Sequence, residues 1–166
     1  MVVKLLRRIR RNHALEHATI ALLSRRYPGA TIMGFSGPRG FTLFTDLTAE
    51  EVYPTVKDAL RMLKRGHTAL AVHPNCGTNL IAAAVLTTVV TALGLQSRKE
   101  KPGERLERLL QLVLVNALAL LAARPLGTWL QSHVTVDTEV SGVEIASILT
   151  RYQVGMQRIE VQTRQA

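Results

Sequence analysis

Apolar residues recur at helical spacing along the first part of the chain, and the pattern then changes to one typical of strands. Positions from about Val3 to Arg26 predict an amphipathic helix, which Tyr27-Pro28-Gly29 ends. The stretches Ala30 to Phe35 and Phe41 to Thr45 are rich in Thr, Ile and Phe, which predicts two strands. The five residues Ser36-Gly37-Pro38-Arg39-Gly40 between them are typical of a β-hairpin loop.

A second helix follows the predicted hairpin. Asp46 or Thr48 can cap it, and it is expected to run to about Arg65 and to end at Gly66. The segment from His67 to His73 then predicts a short strand. These elements give the N-terminal part of the chain, residues 1–75, a mixed α and β character.

Two uncharged apolar segments interrupt this pattern. The first runs from Asn79 to Leu95 and the second from Leu109 to Ala123, where Arg124-Pro125 is expected to break the helix. A spanning helix needs about 17 to 25 residues, so the second segment requires a few flanking residues to cross a bilayer. The charged linker Gln96 to Glu104 predicts an exposed turn. Residues 76–131 are therefore predicted to form a membrane helical hairpin, and the alternative is a buried hairpin of a soluble bundle.

The C-terminal part, residues 132–166, returns to an α+β pattern that is expected to complete the sheet and to pack on the N-terminal part. The fold class predicted for the whole chain is α+β, with a basic N-terminal helix, a β-hairpin, a helix and a strand before the membrane hairpin, and a βαβ tail after it. The tail elements are a strand from Val134 to Thr138, a helix from Val143 to about Tyr152 capped by Ser141, and a strand from Arg158 to Thr163.

Positive charge is concentrated before the apolar segments. Lys and Arg outnumber Asp and Glu by 21 to 12, which gives a net charge of +9, and 12 of these basic residues precede His67. Such a surface suits either nucleic acid or the anionic leaflet of a membrane. The apolar hairpin favours a lipid bilayer, with anionic lipid head groups at the basic face of the first helix, and makes nucleic acid the weaker alternative.

The expected location of the α+β part is the cytoplasm. The sequence MVVKLLRRIRR lacks the apolar stretch and cleavage site of a secretory signal. The linker between the apolar segments is also basic, and the positive-inside tendency would keep it on the same side. A hairpin that dips into the bilayer without crossing it would satisfy both expectations. The single cysteine, Cys76, excludes an internal disulfide.

The sequence HALEH in the first helix is a candidate metal site. His13 and His17 are four positions apart, so they lie one turn apart on one face of the helix, close enough to bind one zinc ion. Glu16 lies beside them, and in this HxxEH order a glutamate can act as the general base that takes a proton from the attacking water. On a helical wheel this face is also the one expected to be buried, whereas most basic residues lie opposite. The alternative is a pair of histidines that only hydrogen-bond in the interior.

Two histidines do not complete a zinc site, because catalytic zinc takes three protein ligands and structural zinc takes four. The expected source of the others is the loop His73-Pro74-Asn75-Cys76-Gly77, where an imidazole and a thiol are three residues apart. The alternative is that this loop only caps the first apolar helix. The predicted ligands are therefore His13, His17, His73 and Cys76, and the predicted cofactor is zinc.

The HALEH segment, followed by two strands and a helix, resembles the opening of the pitrilysin-type inverzincin peptidases. That resemblance covers about the first 65 residues and implies that His13 and His17 are zinc ligands and that Glu16 is the base. Those enzymes take a third ligand from a glutamate on a later helix, where this chain has an uncharged apolar segment. The whole chain, with HALEHATI and HPNCGTN ahead of two hydrophobic helices, is also similar to an uncharacterised family of small bacterial membrane proteins.

Three functions follow from these residues. The leading hypothesis is a membrane-anchored, zinc-dependent hydrolase of metallopeptidase type, with a peptide as its expected substrate. The second is a non-enzymatic membrane protein in which the same residues form a structural metal site. The third is a basic protein that binds anionic lipid or nucleic acid at its surface.

Overall fold

The computed structural model describes residues 2–95, 102–153 and 155–165. These residues form two compact units, one made of Met1–His73 with Ser132–Ala166 and the other of Pro74–Gln131. The helices are α1 (Val2–Arg26), α2 (Ala49–Lys64), α3 (Gly77–Gly94) and α4 (Pro102–Leu130), and the strands are β1 (Ile32–Gly37), β2 (Gly40–Thr45), β3 (Val143–Gln153) and β4 (Met156–Gln165).

The first unit is a four-stranded antiparallel sheet packed against α1 and α2. The strand order is β1-β2-β4-β3, so the C-terminal hairpin completes a sheet that the N-terminal hairpin begins. The predicted α+β fold is thus confirmed. Side chains from both helices and three strands form one core, because the inward face of each element is apolar. Its largest fully buried members include Leu15, Leu23, Leu43, Val52 and Ile159.

The N-terminal elements closely follow the sequence pattern. Helix α2 begins after Thr48, which forms a capping box with Glu51. The predicted hairpin is confirmed, but its loop is Pro38-Arg39 alone, because the residues on either side already pair across the ladder. Gly40 has a φ of +146°, and a Cβ there would overlap the carbonyl oxygen of Val161, so the turn requires glycine at this position.

The helix predicted from Val143 to about Tyr152 is wrong, because this segment is strand β3 and the tail is a β-hairpin instead of a βαβ unit. The pairing between β3 and β4 shifts register between Ile145 and Ser147. A bulge of this kind breaks the alternation of period two, so the apolar residues Ile145 and Ile148 fall at a spacing typical of a helix. The strand predicted from Arg158 to Thr163 is confirmed within β4.

Two other predicted strands are also wrong. The segment His67–His73 contains a 3₁₀ turn, Thr68–Ala71, and the segment Val134–Thr138 begins inside a π-helical turn, Gln131–Thr135. Neither is a strand of the four-stranded sheet. Backbone carbonyls of these segments instead accept hydrogen bonds from side chains of α1.

Helix α1 is fixed to the sheet by a buried amide. The side chain of Asn12 is fully buried, and its Nδ2 donates to the carbonyl oxygen of Gly37 at 2.7 Å. Its Oδ1 accepts from Thr163 Oγ1 at 2.7 Å and from Gln165 Nε2 at 2.8 Å. Because a buried amide is costly unless it is fully hydrogen-bonded, this arrangement favours one orientation of α1 on the sheet.

The second unit consists of α3 and α4, and both are long and apolar enough to cross a membrane. Helix α4 continues through Arg124-Pro125 to Leu130, so the predicted break there is wrong. The predicted turn from Gln96 to Glu104 lies mostly at residues 96–101, outside the described residues, and the chain is helical from Pro102. Large apolar side chains cover the outside of both helices, including Leu80, Ile81, Leu93, Val113, Leu114 and Leu121, each at least 62% exposed.

Polar side chains join the two helices of this unit. Asn116 Nδ2 donates to Thr91 Oγ1 at 3.1 Å, and Gln131 Nε2 donates to Asn79 Oδ1 at 2.8 Å. The hydrogen bond between Asn116 and Thr91 links α4 to α3. Gly127 packs directly against Asn79, where a Cβ would lie 2.8 Å from the Asn79 Cα, so a small residue allows close approach of the helices.

Candidate metal centre

Helix α1 places His13, Glu16 and His17 on its inward side, as the spacing predicts. Glu16 is 4% exposed and His17 is 3% exposed, while His13 is partly exposed. The two imidazole rings are 4.2 Å apart between centroids and meet edge to face at 67°. Their candidate ligand nitrogens lie within 4.8 Å of each other. The pair is thus close enough to contact one ion after small side-chain adjustments.

Each of the two histidines has a backbone carbonyl at its Nδ1 atom. His13 Nδ1 lies 3.0 Å from the oxygen of Thr135, and His17 Nδ1 lies 2.8 Å from the oxygen of Ala71. A carbonyl oxygen only accepts hydrogen bonds, so both rings donate from Nδ1, and each ring in its neutral form has its lone pair on Nε2. Histidines that bind metals typically donate the other ring N–H in this way, which fixes the tautomer and the ring orientation.

The segment that provides the Thr135 carbonyl is held along α1 by several polar contacts. Arg10 donates to the carbonyl oxygens of His133 at 3.2 Å and Val136 at 3.0 Å, and its own carbonyl accepts from the N–H of Asp137 at 3.1 Å. Arg11 also forms an ion pair with Asp137 at 3.6 Å. Through these contacts the side chains of Arg10 and Arg11 point towards the protein and not towards solvent.

Strand β1 makes room for the Glu16 carboxylate at Gly34. A Cβ at residue 34 would collide with Glu16 Oε1 and would lie 2.8 Å from Ile20 Cδ1. The backbone of Gly34 is ordinary extended chain, so lack of a side chain, and not an unusual φ, is what the position requires. The glycine therefore determines where the buried carboxylate can lie.

The two predicted ligands from the following loop belong to different units. His73 is at the end of the first segment of the first unit, and its ring centroid is 6.0 Å from that of His17. Cys76 belongs to the second unit and is the N-cap of α3, where its sulfur accepts a hydrogen bond from the Thr78 N–H at 3.4 Å. The capping role expected of this loop is present, and ligation by Cys76 stays a prediction.

Sequence reasoning missed the groups that orient the site. The carbonyls of Ala71 and Thr135 have no signature in the sequence, because every residue has a carbonyl and only the fold selects which one meets a ring. Gly34 did have a signal, since a glycine inside a strand pattern often marks close approach by another group. The two other histidines of the chain, His67 and His133, are both exposed.

These features define an α+β protein with a paired, oriented histidine site and a pair of long apolar helices. The sequence matches the family described as a domain of unknown function, DUF6391, over residues 8–148, and the chain belongs to this family. The match includes all five predicted site residues, His13, Glu16, His17, His73 and Cys76.

A cyanobacterial protein similar to this chain has a name that gives no function. The chain is 34% identical over 136 residues to an uncharacterized protein of Picosynechococcus sp. strain PCC 7002, and the match covers 76% of this chain and 65% of that protein. The chain thus spans slightly less than two thirds of that relative. No solved structure matches the chain. Neither the family description nor the name of the relative states an activity.

Proposed function

We propose that this protein is a membrane-anchored, zinc-dependent hydrolase of metallopeptidase type. The observation that carries the proposal is the orientation of His13 and His17, whose Nδ1 atoms both face backbone carbonyls. Histidines that only hydrogen-bond in the interior need not share one tautomer, whereas His13 and His17 both use Nδ1 for a backbone carbonyl. Their shared tautomer suits ligation of one ion.

The chemistry of the donor set fits zinc. His13 and His17 would hold the ion together with a third ligand from the loop after α2, either His73 or Cys76, since imidazole and thiolate are the ligands that zinc prefers. Zinc at such a site supplies Lewis acidity towards a carbonyl group. His73 is the ligand that the first unit itself offers, because its ring lies 6.0 Å from that of His17.

Glu16 is the proposed general base. Glu16 directly precedes His17 and follows His13 by three residues. Its side chain is buried and confined by Gly34, so it would remain in one position during proton transfer. It would accept the proton of the attacking water and then return it to the leaving amine. The substrate class proposed for this reaction is a peptide, because the HxxEH arrangement resembles that of peptidases.

The membrane location rests on the second unit. Helix α3 has 18 residues, which corresponds to about 27 Å and is close to the thickness of a bilayer core. Its apolar side chains and those of α4 are exposed, as expected for surfaces that contact lipid. We place the first unit on the cytoplasmic side, because its basic surface suits the anionic head groups of that leaflet.

A structural metal site is the second candidate function. It is favoured by the presence of two further candidate ligands, His73 and Cys76, since a zinc ion with four protein ligands has no open position for water. Spectra of the cobalt-substituted protein would separate the two candidates. A thiolate-to-cobalt charge-transfer band that disappears in Cys76→Ser, together with a change in the visible bands in His73→Ala, would favour the closed, structural site.

The decisive experiment compares the wild-type protein with Glu16→Gln, both purified in detergent. We expect both proteins to contain about one zinc per chain, and we expect only the wild type to cleave a mixed peptide library. Loss of the base should lower the rate by about 10² to 10⁴, because the amide cannot accept the proton. Glu50→Gln, an exposed change in α2, is the matched control and should retain activity.

Each other outcome counts against part of the proposal. If Glu16→Gln lost its zinc, Glu16 would be a ligand and not the base. If the zinc-loaded wild type cleaved no peptide, the structural site would replace the hydrolase. If the wild type bound no zinc, both candidates would fail.

A further inference from the structure

Three arginines from separate elements line one cavity in the first unit. Arg8 comes from α1, Arg39 from the turn between β1 and β2, and Arg164 from β4. The cavity has a volume of about 260 Å³. Its other lining residues are Pro38, Ala146, Gln162, Thr163 and Gln165. Among the described residues, therefore, no carboxylate lines the cavity.

None of the three arginines forms an ion pair with a described residue, and Glu144, which lies opposite Arg164 in the register of β3 and β4, does not line the cavity. Arg8 donates to the carbonyl oxygen of Gln165 at 3.4 Å, which leaves its charge uncompensated. The side chains of Arg39 and Arg164 make no hydrogen bond or ion pair with any described residue. Like charges that converge on a concave surface repel one another, and an anion between them removes that repulsion.

The backbone beneath the cavity is held in place. The Thr163 N–H donates to the Arg39 carbonyl at 2.8 Å, which fixes the hairpin turn to β4. The Gln165 side chain donates to the Arg8 carbonyl at 3.3 Å and also to the buried Asn12 at 2.8 Å, which fixes α1 to the same strand. The three arginines therefore extend from a rigid base.

We propose that this cavity binds a phosphate-containing anion. Guanidinium groups bind phosphate oxygens in pairs of parallel hydrogen bonds, and three of them suit a group with several charged oxygens. The volume is several times the roughly 30 Å³ of a water molecule, which leaves room for a phosphate and its substituent. The ligand is either a free phosphate compound or the phosphate of a lipid head group. The proposal is independent of the metal site.

The test is calorimetric titration of the full-length protein in an uncharged detergent. The probes are inorganic phosphate, inorganic pyrophosphate and two short-chain lipids, dihexanoyl phosphatidylglycerol and dihexanoyl phosphatidylcholine. Two triple variants are compared, Arg8→Gln/Arg39→Gln/Arg164→Gln in the cavity and Arg7→Gln/Arg25→Gln/Arg151→Gln at exposed sites outside it. Each variant removes three positive charges. A difference in binding between them therefore depends on the position of the arginines around the cavity and not on the net charge of the protein.

We expect the cavity variant to weaken binding at least about tenfold, and the control to weaken it less than about threefold, because only the first loses directed hydrogen bonds. Binding of phosphate or pyrophosphate with this pattern supports a free phosphate compound. Binding of phosphatidylglycerol alone with this pattern supports a lipid head group. Equal weakening in both variants, or no binding of any probe by the folded wild type, would overturn the proposal. Circular dichroism of each variant verifies its folding.

Discussion

The Nδ1 atom of His17 lies 2.8 Å from the carbonyl oxygen of Ala71, a residue 54 positions later in the chain. His13 has an equivalent contact with Thr135, which is 122 positions later. Two distant segments therefore hold neighbouring rings of α1 in the same tautomer. Since imidazoles that are already oriented lose little freedom on binding an ion, this arrangement should increase metal affinity.

The first prediction concerns these rings. His13→Ala and His17→Ala should each reduce bound zinc to less than about a tenth of the wild-type content, because loss of one ligand leaves an incomplete tetrahedron. Metal analysis of protein dialysed against a weak chelator measures this. His67→Ala and His133→Ala replace exposed histidines and should retain the metal. Full zinc content in both His13→Ala and His17→Ala would mean that the two rings only hydrogen-bond in the interior.

The second prediction concerns the space beside the proposed base. Gly34→Ala should displace the Glu16 carboxylate and lower hydrolytic activity at least about tenfold, since a misplacement near 1 Å can cost a hundredfold in rate. Zinc content should not change, because neither histidine contacts Gly34 in the described hydrogen bonds. Steady-state rates and metal content are measured together.

Gly37→Ala is the matched control, because it is in the same strand and a Cβ there would meet only the Gly40 oxygen, at 4.0 Å. Its activity should stay within about twofold of the wild type, since no strain or collision is introduced. If Gly34→Ala and Gly37→Ala lost activity equally, strand β1 would simply not tolerate an added methyl group. The specific role of Gly34 in positioning Glu16 would then be rejected.

The third prediction concerns the exposed apolar surface of α3 and α4. The protein should need detergent or lipid to stay dispersed, because soluble proteins rarely expose contiguous apolar patches above a few hundred Å². Size-exclusion chromatography with light scattering, with and without a mild detergent, measures this. A monodisperse monomer in plain buffer would contradict the membrane location. The soluble bundle would then be the better interpretation.

The fourth prediction concerns an ion pair between α1 and α2. Arg26 donates to Asp58 at 2.5 Å, and this hydrogen bond, together with the charges of Arg26 and Arg61, lowers the pKa of the Asp58 carboxyl below its ordinary value. A lowered pKa means that the stabilisation is fully present above the unfolded-state pKa of about 3.9, and that it is lost as the pH falls through the folded-state pKa.

Asp58→Asn should therefore reduce the unfolding free energy by up to about 1 kcal/mol at neutral pH, a small value because the pair is partly exposed to solvent. The difference from the wild type should shrink below about pH 4. Thermal unfolding in detergent, followed by circular dichroism across this pH range, measures it. A difference that does not change with pH would exclude the ion pair as its cause.

The sequence was sufficient to predict those secondary-structure elements that depend on residues close together in the chain. Helix α1 and the position of His13, Glu16 and His17 on its inward face follow from a spacing of four residues, and α2 follows from its capping box. The apolar composition of α3 and α4 was also evident, because a stretch without charge can be recognised without knowledge of its neighbours. The length of α4 was not, because the helix continues through Pro125.

The tertiary structure decided what depends on distant partners. Residues 143–153 form a strand because β4 is beside them, and the bulge near Ala146 hides the alternation that would have predicted it. The carbonyls that orient His13 and His17 lie more than 50 positions from them in the chain. The cavity likewise brings together Arg8, Arg39 and Arg164 from three separate elements. Periodicity describes only which face a residue occupies, whereas these contacts depend on how the faces of different elements pack together.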